Sequence, residues 1–175
     1  MPRYVAFLRA INVGGRTVRM EALRRAFEGW GASGVETFIA SGNIVFETTR
    51  RNAASLEPAI EAHLLDALGF PVSTFVRTIP ELAEIAAHQP FPAAQLLPES
   101  RVFVGFMKKA PSADAVASLR TDLDDFAVRN RELYWLRRSQ LMQSIASGPN
   151  AEKVLATPIT VRNVNTIHRL AAKYC

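Results

Sequence analysis

The chain has 175 residues, 49% of them apolar and 21% charged, which excludes an intrinsically disordered or collagenous protein. No uncharged apolar run approaches the roughly 18 residues that a membrane span needs, and Arg9 interrupts the apolar start of the chain. A soluble, cytoplasmic protein with no membrane partner is the expectation. The formal charge is +5, and its distribution is uneven: residues 1–125 carry 13 basic and 14 acidic side chains, residues 126–175 carry 8 and 2. A basic C-terminal stretch favours an anionic partner. The single cysteine, Cys175, can form neither an intrachain disulfide nor a cysteine metal cluster.

Residues 3–9 (RYVAFLR) are rich in β-formers and predict a strand, followed by the glycine-bearing loop INVGGRT. A helix follows from Arg19, with Met20, Leu23, Phe27 and Trp30 on one face and Gly31 as its stop. Residues 35–40 and 43–48 predict two strands around a Ser41-Gly42 turn. Leu56, Ile60, Leu64 and Leu68 mark a helix over 53–68, with Pro58 placed in its first turn and Gly69 ending it. Residues 71–77 alternate as a strand, and 79–88 predict a short helix.

The order β-α-β-β-α-β predicts an α+β fold: an N-terminal ferredoxin-like subdomain over residues 1–88, with a four-stranded antiparallel sheet and strand 1 central. Residues 89–100 hold three prolines and predict a connector. A second, related α+β subdomain spans 101–175: a strand at 101–107, a helix at 112–123 capped by Ser112, strands at 125–130 and 132–138, a short helix at 150–156 and a final helix at 164–174. The two halves show no convincing residue repeat.

Familiar catalytic signatures are missing. Gly14-Gly15-Arg16 lacks the lysine and spacing of a P-loop, Ser41 sits in ASGN rather than GxSxG, and His63, His88 and His168 fall in no ligand spacing. No cofactor is expected, and Asp124-Asp125 reads as a turn. Three polar segments remain. Arg9, Asn12, Gly14, Gly15 and Arg16 combine arginines with glycines that let backbone N–H groups approach an anion. Ser41, Gly42 and Asn43 form a turn that the topology brings to the same sheet end. Thr160, Arg162, Asn163, Asn165 and Thr166 open the final helix, where Asn163 is a natural cap. Arg162 and Asn163 are expected to approach the 12–16 loop or the 41–43 turn.

The stretches LRAINVGG (8–15), FIASGNIVFET (38–48), VRTIPEL (76–82), YWLRRSQ (134–140), EKVLATPITVRNVNT (152–166) and LAAKY (170–174) resemble the bacterial family known as domain of unknown function 1697. The resemblance implies two ferredoxin-like-related subdomains and no particular reaction. Many members carry tryptophan where this chain has Val164. The functional expectation is a binder of an anionic ligand, either a phosphate-bearing small molecule or nucleic acid. The alternatives are an enzyme on a small phosphorylated or carboxylated substrate, and a structural or oligomerising protein. The RNA-recognition arrangement of paired aromatics is absent from NIVFET, where Phe46 reads as core.

Overall fold

A computed structural model describes residues 1–9, 11, 17–139 and 149–175. The chain divides into two units, Met1–Ala83 with Tyr174–Cys175, and Glu84–Lys173.

In the first unit, β1 (Arg3–Leu8), α1 (Met20–Gly29), β2 (Ser33–Thr37), β3 (Asn43–Glu47), α2 (Ala53–Leu68) and β4 (Thr74–Thr78) lead into α3 (Ile79–Ala87). The sheet runs β2-β3-β1-β4 with antiparallel neighbours, so β1 is internal as expected. Side chains alternate across a strand. Tyr4, Ala6 and Leu8, with Ile44, Phe46 and Val76, therefore share one face and form a core with Leu23 and Phe27 of α1 and Leu56, Ile60 and Leu64 of α2. Val5, Phe7, Val45 and Phe75 point the other way, and all four are fully buried. Asn52 caps α2 by accepting from the Ala54 N–H, and Gly69, at φ 80°, turns the chain out of it. Pro58 lies in the second turn rather than the first, removing one internal N–H, yet the helix continues to Leu68.

The second unit holds β5 (Arg101–Met107), α4 (Ala113–Ser118), β6 (Asp124–Arg129), β7 (Glu132–Arg137), α5 (Pro149–Leu155), β8 (Ile159–Asn163) and α6 (Val164–Tyr174). Its sheet runs β6-β7-β5-β8, which is the first unit's order advanced by four strands. The halves are thus a duplication of fold. A residue correspondence becomes visible in register: Val76-Arg77 on β4 and Val161-Arg162 on β8, with Arg77 opposite Val5 and Arg162 opposite Val104. Each arginine donates Nη1 to the carbonyl just before it, at 2.8 Å from Val76 and 3.0 Å from Val161.

The end of α3 lies with the second unit: the Tyr134 hydroxyl donates to the Ile85 carbonyl at 3.4 Å and Arg129 pairs with Glu84. Two expectations change. The helix after Ser112 ends at Ser118, where Thr121 and Asp124 close a turn through side-chain and backbone hydrogen bonds that compete with helix. Residues 159–163 form a strand, as the β-branched run Ile159-Thr160-Val161 after Pro158 allows.

Candidate functional site

At one end of the first sheet, the Leu8 N–H donates to Gly42 O at 2.8 Å and the Arg9 N–H to Ser73 O at 2.9 Å. This places Arg9 at the same end as the 38–43 turn, as the topology predicts. The turn is braced from within. Asn43 has no exposed surface; its Nδ2 donates to Phe38 O and to Ser41 Oγ, both at 2.9 Å, while the Phe38 N–H donates to Asn43 O. Gly42 sits at φ 78°, and a Cβ there would stand 3.1 Å from Leu8 Cβ and 3.3 Å from Leu8 O. Gly42 and Asn43 therefore have local structural work, and Ser41 assists it. Asn12, Gly14, Gly15 and Arg16 lie outside the described residues.

The third polar segment is the edge strand β8 and the start of α6. Asn163 caps α6, its Oδ1 accepting from the Asn165 N–H at 2.9 Å. Arg162 is 8% exposed and also donates Nη1 to Thr160 Oγ1 at 2.8 Å. Burial pulls its guanidinium down to about 10. Asn165 is exposed and Thr166 half-buried. Arg162 and Asn163 belong to the second unit, Arg9 and Ser41–Asn43 to the first.

A different cluster stands out at the β5 entry of the second sheet. Arg101 and Arg137 are direct cross-strand partners, with Asp124 the next partner of Arg137. One residue on, where the side chain turns to the other face, Asp125 receives Arg120 Nε at 3.0 Å and lies 3.6 Å from Arg138 Nη2. Asp124 is buried and spends its oxygens on structure: Oδ1 accepts from Trp135 Nε1 at 2.7 Å and Oδ2 from the Thr121 hydroxyl at 3.0 Å. Arg101 Nη1 bonds locally to Ser100 O and Pro98 O and stays exposed. Arg101, Arg137 and Asp124 thus share one face of the sheet, while Asp125 with Arg120 and Arg138 lies on the other; like charges directly opposite on neighbouring strands repel. The paired arginines Arg137-Arg138 are visible in the sequence, but Arg101 joins them only through strand register.

The sheet faces bear on nucleic acid. Phe103, Trp135 and Phe126 form a row of stacked rings beside this cluster, with centroids 4.7 Å and 6.2 Å apart. Trp135 and Phe126 are buried in the core with α4 and α5 residues, and Phe103 is half-buried. On the opposite face Val104, Phe106, Tyr134 and Leu136 are buried too. Neither sheet offers the described residues as an open aromatic platform of the kind that stacks bases. No helix among the described residues is long and apolar enough to cross a membrane.

Residues 1–134 match the family described as a protein of unknown function, DUF1697. A solved structure of a conserved bacterial protein from Streptococcus pneumoniae is similar over 99% of this chain and 98% of its own, with a TM-score of 0.76 at 24% identity. At that identity the likeness speaks to fold. No curated protein matches the chain.

Proposed function

This chain belongs to the family of proteins of unknown function DUF1697, and we propose that it binds a small phosphate-bearing ligand in the cytoplasm. The observation that carries the reading is the opposed pair Arg101 and Arg137 at one end of the second sheet. Guanidinium forks match phosphate oxygens bidentately, and a phosphate between two opposed arginines turns their repulsion into attraction. The second unit as a whole carries 12 basic and 8 acidic residues, so the local cluster sits within a positive field. Buried sheet faces favour a small molecule over a base-stacked strand. The sequence-derived residues Arg9 and Asn165 remain candidates for contacts of their own, whereas Gly42, Asn43 and Asn163 serve the backbone around them.

Calorimetric titration with pyrophosphate, a mononucleotide and a single-stranded RNA tests this. Pyrophosphate or the mononucleotide should bind, and Arg101→Ala and Arg137→Ala should each weaken binding by about tenfold, one charge-assisted contact. Raising salt should lower small-ligand affinity by a shallow slope. A steep slope with tighter RNA binding would replace the reading with nucleic-acid binding, and no anion binding at low salt would remove it.

A further inference from the structure

We infer that the second unit carries a separate pocket for a small aromatic carboxylate, about the size of benzoate. The pocket has a volume of about 160 Å³ and opens on the sheet face away from α4 and α5. That face follows from register, since Val102 and Tyr134 alternate with Phe103 and Trp135. Phe91, Val102, Tyr134 and Val164 form its walls, and His88 and His168 stand at its rim. Tyr134 and Phe91 are buried, His88 is half-buried and His168 is exposed. An apolar cavity of about 150 Å³ accepts a benzene ring, so the space suits one six-membered ring and a short substituent. The Tyr134 and His88 rings already meet edge-to-face, with centroids 4.9 Å apart.

The rim sets the ligand's polar group. Neither the His88 nor the His168 imidazole makes a side-chain hydrogen bond among the described residues; His88 has its ring contact with Tyr134. Val164 and His168 lie four residues apart on α6, so one helical turn supplies both a wall and a rim donor. Two imidazoles with N–H groups to give suit a carboxylate oxygen. Gln89 adds an amide to the same rim. Among the described residues no cluster of three metal-ligating side chains exists. The site shares no residue with the arginine cluster, and its test is independent of the phosphate reading.

The experiment follows the histidine ring resonances by NMR during titration of the full chain with benzoate, and separately with toluene, each to about 10 mM, which detects millimolar binding. Benzoate should shift His88 and His168 saturably and leave His63 in place. His168→Ala and His88→Ala should each weaken benzoate by about threefold to tenfold and leave toluene unchanged. Val164→Trp should fill the pocket and abolish both; Val164→Met, a milder plug, should weaken both if the tryptophan variant does not fold. Absence of a saturable shift in the unaltered protein overturns the pocket. Benzoate binding that survives both Val164 variants overturns its location, and equal binding of toluene and benzoate, insensitive to His168→Ala, overturns the ligand class.

Discussion

Glu57 Oε1 on α2 accepts the outward N–H of Val76 on the edge strand β4, at 2.8 Å. It has company. Glu61 Oε1 accepts the Thr74 N–H at 2.7 Å, and Glu81 Oε2 accepts the Thr78 N–H at 2.7 Å. Alternate residues of an edge strand turn their N–H groups away from the sheet, where they would template pairing with another chain. Three carboxylates close this edge. In the second unit Glu152 of α5 does the same for Ile159 on β8, at 3.0 Å. The Arg77 guanidinium, 1% exposed, lies 3.6 Å from the same Glu57 oxygen.

Glu57→Ala should therefore destabilise by about 2–4 kcal/mol, because it removes both an acceptor for a buried N–H and a carboxylate from a buried guanidinium. Glu57→Gln keeps the acceptor and should cost less. Urea denaturation of the two variants decides it; equal losses would show that the charge carries the whole effect and the retained acceptor none, and no loss in Glu57→Gln would show that the charge contributes nothing.

Arg162→Ala should lower stability by about 1–3 kcal/mol, since its donors to Thr160 and Val161 hold a buried edge-strand position. An unchanged melting temperature would show that Arg162 is held in place without supporting β8.

Gly42→Ala should cost about 2 kcal/mol or more, combining a left-handed backbone with contact on Leu8. Gly69→Ala has a similar φ of 80° and open space around the added methyl, so it should cost about 1 kcal/mol. Thermal unfolding of the pair separates strain from crowding, and equal losses would refute the contact at Leu8.

Burial, reinforced by the Glu132 carboxylate and opposed by Arg129, pushes the Tyr134 phenol up to about 12. The neutral phenol is favoured in the folded protein, so the unfolded chain loses its proton first. That stability is whole below pH of about 10 and disappears as pH rises to about 12, a change of about 2–3 kcal/mol. Arg162, whose value is lowered, acts in the opposite sense over a similar range. Comparison with Tyr134→Phe cancels Arg162: the variant should lose less stability between pH 10 and 12 (roughly the unfolded and folded phenol values). Parallel curves would show that the phenol ionises alike in both states.

The chain's own pattern determined much of this protein. The stripe Leu56, Ile60, Leu64, Leu68 with Gly69 after it marked α2 at Ala53–Leu68, and the β-rich run at 101–107 and the final helix at 164–174 were equally legible. Those elements are set by local periodicity and by terminators that act within one turn. The α+β order and the central place of β1 followed from them. Tertiary structure decided the rest. Strand β8 was hidden because Thr160, Arg162 and Asn163 read as a polar lead-in to a helix; it becomes a strand by pairing with β5, more than fifty residues earlier. Two related halves were expected from the element order, but their residue correspondence was hidden for the same reason, since Val76-Arg77 and Val161-Arg162 correspond only once each is set opposite its own central strand. Arg101 and Arg137 are 36 positions apart and meet through register alone. Glu57 and Glu61 fall outside the apolar stripe of α2, and only the neighbouring edge of β4 gives their carboxylates an N–H to accept. A sequence carries periodicity along the chain; which distant polar groups become partners is settled when sheet pairing fixes their distance.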